Sequence, residues 1–406
     1  MRQPAFHNDL LARNALLTKD ARMSSLGPQE IARHLGRTRR DFLRDAAGMV
    51  AGATLLGASP FVHAATAIRK RKMIVITFGG GARDQETFAP AGQANIPHML
   101  GELAPQSSFF ARVTNQGILG HYVATASLAT GVDESLNNFS AVPPDHPTIF
   151  EYFRKDLRRL VSDAWVIAPS NGFNRIGESD CRSYGPGFGA QVILPKQLLS
   201  AAVAGSKLEY GHLLRDNYET PFYAPQIQGG EFELQQLEDI LKLSVDDFMT
   251  HAKTLSSPDE LSVFIAKRLM QRESPSLLWI TMHDIDVAHS GAFSLYVDAI
   301  RRTDRLCAEM WQAVQDEPEY AASTTMLILP DFGRDADQDS GGNGFQHHRT
   351  GDAESRTTWM MALGQGVRHG VVYDNPVQSI DLVPSIGAMM GFSAAQAEGK
   401  PIRELL

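Results

Sequence analysis

Beyond residue 71, short unbroken apolar runs alternate with longer segments of helical period. Lys72-Met73-Ile74-Val75-Ile76-Thr77-Phe78 is short and rich in β-branched residues, which predicts a buried strand, and Gly79-Gly80-Gly81 ends it. The same pattern predicts strands over Phe109–Val113, Ala164–Ala168, 276–282, 323–329 and 357–363. Helical spacing covers His121–Thr130 (stopped by Gly131), Thr148–Leu160, Glu233–His251, Pro258–Arg272, Ala292–Val314 and 380–390. Strands alternating with helices predict one α/β domain over 65–406, a central, mostly parallel sheet flanked by helices. Between Pro169 and Ile227 the pattern weakens, and Gly, Pro, Ser and Tyr become frequent. That stretch reads as an irregular insertion near 170–227 over one face of the sheet.

Residues 1–64 read as a cleaved targeting region. Arg37-Thr38-Arg39-Arg40-Asp41-Phe42-Leu43 is a twin-arginine pattern, followed by an Ala/Gly-rich apolar stretch over Ala46–Ala58. Val62-His63-Ala64 and Ala65-Thr66-Ala67 offer small residues for cleavage, and Met23 is an alternative start. The expected partner is the twin-arginine translocase, which exports folded proteins, and the expected location is periplasmic or extracytoplasmic. No segment approaches the ~20 apolar residues of a membrane span. The chain has 406 residues, 43% of them hydrophobic, which is enough for a large core. Its net charge of −8, with no basic stripe past the N-terminal region, argues against a nucleic-acid partner. Two cysteines, Cys181 and Cys307, cannot make a disulfide framework, although a single bridge between them is a further reading.

Three polar clusters at strand boundaries change the picture: His283-Asp284-Ile285-Asp286-Val287-Ala288-His289, Asp331-Phe332-Gly333-Arg334-Asp335, and His347-His348 with Asp352. Strand ends are where an open α/β sheet places its chemistry. Asp286 and His289, three apart on a tight turn, can reach one cation, with Asp284 as an alternative ligand or an orienting group. Asp331 closes a central strand as a ligand or as a turn cap, and Arg334 and Asp335 can pair with it. His347 and His348 are adjacent, so in an extended chain at most one faces a shared ion, and Asp352 can orient one of them. The mixed N/O set suits a divalent cation, zinc before manganese or calcium. Asp335 to Gly341 has the opening of a calcium loop but Ser340 at its glycine position, and reads better as a solvated acidic loop.

These pieces, in this order, resemble the alkaline phosphatase superfamily of phosphodiesterases, arylsulfatases and phosphoglycerate mutases. The resemblance covers about residues 72–392. Gly120-His121-Tyr122 looks like that family's helix start after the nucleophile, and Ile74 to Asp84 like its first strand and turn. The family binds two metals. The resemblance matches Asp286, His289 and His348 (or His347) to one site, and Asp331 to part of the other. It departs from the family at Phe332, where a His is expected, and at Gly79 or Gly80, where the first-strand Asp is expected. The nucleophile position falls near Gly117, with Thr114 the nearest hydroxyl. Cys181-Arg182-Ser183-Tyr184-Gly185 lacks the Cys-x-Pro-x-Arg of sulfatases.

The expectation is a metal-dependent hydrolase of phosphate or sulfate esters in the periplasm, acting on a small-molecule or glycan ester. A water activated by one metal takes the role of nucleophile. Asp286, His289 and His347 or His348 hold the cation, Asp331 is a fourth ligand or base, and His121 or Arg83 stabilises developing charge. The rival expectation is a non-catalytic metal-binding or scaffold protein on the same fold.

Overall fold

The computed structural model describes residues 71–406 except 141, 170–172, 185, 204–208 and 216–233. The twin-arginine pattern and both cleavage sites lie outside the described residues.

Among the described residues, nine strands form one sheet: β1 (Lys72–Phe78), β2 (Ser107–Thr114), β3 (Ala164–Ile167), β4 (Gln191–Ile193), β5 (Leu277–Met282), β6 (Thr324–Leu329), β7 (Thr357–Gly364), β8 (Val371–Tyr373) and β9 (Val377–Gln378). Their order is β4-β3-β5-β1-β6-β7-β2-β8, with β9 also on β2. Only β7 runs antiparallel to its neighbours; the other pairings are parallel. β1 is fully buried at the centre, between β5 (Ile76 beside Ile280) and β6 (Ile76 beside Ile328).

Successive residues of β1 face opposite sides of the sheet. Ile74, Ile76 and Phe78 join one apolar core, and Met73 and Val75 the other. The first core is covered by α3 (Pro258–Arg272) and α4 (Phe293–Asp316). The second is covered by α1 (His121–Thr130), α2 (Ile149–Asp156) and α5 (Leu382–Met390). Every residue of α1 is buried, which fits its small, all-round apolar sequence.

The predicted α/β architecture is the one observed, and most element boundaries lie within two or three residues of expectation. Three differences have physical causes. The helical pattern over Glu233–His251 breaks at 241–244, where Lys242 has a positive φ of 51° and Ser244 caps a new helix, Val245–Ala252. The segment read as irregular contains the edge strand β4 and the helix Pro195–Ala202, which are too short to carry a clear periodicity. The short strands β8 and β9 leave no periodic pattern for the same reason. Cys181 and Cys307 are both free thiols, so the bridge reading is not borne out.

The parallel register brings the carboxyl ends of β1, β2, β5 and β6 to one end of the sheet. The start of β7 lies there as well, because that strand runs the other way. All the segments singled out for chemistry therefore leave the sheet at the same end.

Candidate metal centre

Four side chains from three distant segments converge at this end of the sheet. His121, Asp286, His289 and His348 each offer one donor atom, and these atoms lie within 4.8 Å of one another. His121 Nε2 is 2.9 Å and His289 Nε2 3.1 Å from Asp286 Oδ1, while His289 Nε2 is 2.9 Å from His348 Nε2. His121 and Asp286 are buried, His348 is half-buried, and the His289 side chain is 42% exposed, so the group has a closed floor and an open side.

Local folding accounts for each position. After β5 the chain enters a 3-10 turn, Asp284–Ser290, ended by Gly291 in the left-handed region at φ 86°. With three residues per turn, positions i and i+3 eclipse, which stacks His289 over Asp286. Asp259, at the start of α3, accepts from the backbone N–H groups of His283 (2.8 Å) and Asp284 (2.9 Å) and so anchors the turn. His121 opens α1, whose next N–H groups, of Tyr122 and Val123, donate to Asn138 Oδ1. His348 is held from both sides: the Asp335 N–H donates to His347 O, and the Arg349 N–H donates to Asp335 Oδ1 at 2.7 Å.

Proton placement follows from the partners. His348 Nδ1 lies 2.8 Å from Leu119 O, and a carbonyl only accepts, so Nδ1 carries the proton and Nε2 presents a lone pair to the group. Burial and the nearby positive charges of His121 and Arg334 push the His348 ring down to about 2, which keeps it neutral. His121 Nδ1 donates to Asp331 Oδ2 at 2.6 Å, and its ring stacks on Phe332 with centroids 4.6 Å apart. Burial alone would lower the His121 pKa, but the carboxylates of Asp286 and Asp331 outweigh it and raise it to about 9. Burial would raise the pKa of Asp286, yet charge and hydrogen bonds from the surrounding histidines hold it well below the usual carboxylate range.

The remaining expected residues fall as follows. Asp331 is fully buried behind His121, bonded to that ring and to the Phe332 N–H, and lies outside the four-donor group. His347 is exposed and also outside it. Arg83 is paired with Glu86 (2.6 Å) and Asp337 (2.5 Å). Thr114 closes β2, in register with Thr357 and Gln378. Asp284 sits 3.4 Å from Arg302, and Asp352 caps the short helix Ala353–Arg356 rather than orienting a histidine. Asp335 is fully buried and accepts from Arg349 and from Ser355 Oγ (2.6 Å), which anchors the start of the loop, while Asp337, Gln338 and Gly341 beyond it are exposed.

Two further residues border the group, and Arg334, expected to pair with Asp331, bonds Asp286 instead. His283 packs edge-on to His121 at 4.9 Å, with Nε2 3.9 Å from Asp286 Oδ2. Arg334, fully buried, donates from Nη2 to Asp286 Oδ1 at 3.0 Å and to Gly80 O, from Nε to Gly81 O at 2.9 Å, and from Nη1 to Phe345 O at 3.1 Å. The available signal was an Arg shortly after β6; its partners are mostly backbone carbonyls, which leave no mark in sequence.

No protein-family model and no curated protein matches the chain. Solved structures do. The lipoteichoic acid synthase LtaP from Listeria monocytogenes aligns over 89% of this chain and 80% of its own, with 12% identity and a TM-score of 0.53. A variant of the alkaline phosphatase PafA aligns over 86% and 99%, with 10% identity and a TM-score of 0.51. The phosphonate monoester hydrolase of Agrobacterium radiobacter aligns over 83% and 77%, with 12% identity and a TM-score of 0.51. The chain thus shares its fold with these three structures, among them an alkaline phosphatase and a phosphonate monoester hydrolase.

Proposed function

We propose that the chain is a metal-dependent hydrolase of phosphate or sulfate esters that works outside the cytoplasm after export through the twin-arginine route. The observation that carries this reading is the convergence of His121, Asp286, His289 and His348 within 4.8 Å. Three imidazoles and one carboxylate form a donor set suited to zinc, with manganese or iron also compatible. The fixed lone pair on His348 Nε2 and the fully ionised Asp286 fit a cation in chemical character as well as in spacing. The names of two structures similar in fold, a phosphatase and a phosphonate monoester hydrolase, agree with the ester class.

A divalent cation bound there supplies Lewis-acid polarisation of the ester oxygen and acidifies water. The chain's own residues do the rest. Asp331 fixes the tautomer and orientation of His121 through the 2.6 Å bond to Nδ1. Leu119 O does the same for His348. Phe332 closes the floor against His121 and His348, with centroids 4.6 and 4.7 Å away, and keeps bulk water from that side. The exposed edge of His289 marks where an ester enters. Arg83 is committed to Glu86 and Asp337, and Thr114 to the end of a strand, so neither is assigned a part in bond breaking.

The second reading, a non-catalytic metal-binding protein, is favoured by one observation. Gly117, near the position expected of a nucleophile, has no side chain, and its backbone carbonyl is held by Arg356 at 3.1 Å. A screen of chromogenic phosphate monoesters, diesters and sulfates separates the two, using metal-analysed protein and the variants His289→Ala and His348→Ala. Turnover by wild type that is lost in both variants supports the hydrolase; bound metal without turnover on any ester supports the second reading.

A further inference from the structure

Arg334 is the one guanidinium among the described residues that donates to a member of the four-donor group. It is 0% exposed, and every acceptor it meets is an oxygen: one carboxylate and three backbone carbonyls, at the end of β1, the turn after β5 and the 344–346 turn. Such an oxygen cage is what a hard cation requires. Here a covalently attached cation fills it. The end of β1 is closed to a competing ligand, because a Cβ on Gly79 would lie 2.1 Å from Met282 O. A Cβ on Gly80 would lie 2.4 Å from Asp286 N, at a φ of +97°.

We propose that the Arg334 guanidinium takes the place of a second metal ion and limits the centre to one divalent cation. The inference rests on the metal-binding reading above. Its basis is charge. Asp286 and Asp331 are the only carboxylates bonded to the centre among the described residues, and Arg334 already offsets one of those two charges. One divalent ion leaves a small net positive charge, whereas two would crowd three cationic centres around a single carboxylate oxygen, Asp286 Oδ1, in a buried setting where like charges repel strongly. Arg334 thus acts as a positioning residue, holding Asp286 Oδ1 toward His121 and His289 at 2.9 and 3.1 Å.

The test counts ions. Full-length apo protein is equilibrated with excess Mn²⁺ and, separately, Zn²⁺, and bound metal per chain is measured for wild type, Arg334→Lys and Arg334→Met. Circular dichroism checks folding. The expected result is about one equivalent for wild type and Arg334→Lys, and uptake of a second, Mn²⁺-preferring equivalent by Arg334→Met, which removes the fixed charge and releases the carbonyl and carboxylate oxygens it held. Two equivalents in wild type overturn the inference, as does a folded Arg334→Met that stays at one. If Arg334→Met does not fold, Arg334→Gln is counted in its place, and a folded Arg334→Gln that stays at one equivalent overturns the inference in the same way. No bound metal in wild type sinks the metal reading itself, an outcome distinct from the failure of the arginine's role.

Discussion

The two halves of the centre solve the same problem differently. On one side, the turn after β5 and the segment before β7 contribute Asp286, His289 and His348, side chains that bind protons or metals reversibly. On the other side, the end of β1 contributes no side chain at all: Gly79 and Gly80 press against Met282 O and Asp286 N, and Arg334 fills the space with a permanent charge. One half is built of groups that take up and release protons, and the other carries a fixed charge. Asp286 Oδ1 is the atom the halves share, so the geometry of the variable half depends on the fixed one.

That contrast can be broken in order of expected effect. Asp286→Ala removes the shared atom and leaves Arg334 buried without its carboxylate. It should abolish metal binding and cost about 3–5 kcal/mol in denaturant unfolding, because an uncompensated buried charge is expensive. Unaltered stability would show that Arg334 does not depend on Asp286. Gly80→Asp restores a carboxylate where the resemblance expects one, but at φ +97° and with no room for a Cβ. It should destabilise by about 1–3 kcal/mol or more and gain no metal equivalent. Tighter metal binding in that variant would show that the β1 end is an open site.

Asp331→Asn should fold normally, because an amide oxygen still accepts from His121 Nδ1. It should weaken metal affinity about 10–100-fold through the loss of the orienting carboxylate, as measured by competition with a chelating dye. Complete loss of the metal would place Asp331 among the ligands instead. Thr114→Ala should leave ester turnover within about twofold of wild type, well below the 10²-fold scale of a lost catalytic group. A collapse of turnover, or a trapped phosphothreonine at that position, would make Thr114 the nucleophile.

How far the molecule could be read from its sequence follows the same division. Strands β1, β5, β6 and β7 were legible because burial on both faces leaves unbroken apolar runs, and α1 and α3 because Gly131 and Ser257-Pro258 punctuate them. The Asp286–His289 pair was legible because its spacing of three fits a tight turn after a strand. The choice of His348 over His347 was not, since two adjacent histidines carry no mark of which one the fold turns inward, where His348 meets Leu119 O. Nor was the inward position of His121: a His at a helix start is read as a ligand only once the fold brings β5 beside it. Arg334 was the hardest to read, being recognised by carbonyls of Gly80, Gly81 and Phe345 that any residue could supply.

His121, Asp286, His289 and His348 are expected to form one cation site. Equilibrium dialysis of the purified protein against Zn²⁺, with His289→Ala and His348→Ala run in parallel, tests this directly. The prediction is about one zinc per chain in wild type, with affinity lowered by at least about 10-fold in each variant, since each deletes one of four donors. Zinc bound equally well by wild type and both variants, or by none of the three, would contradict it.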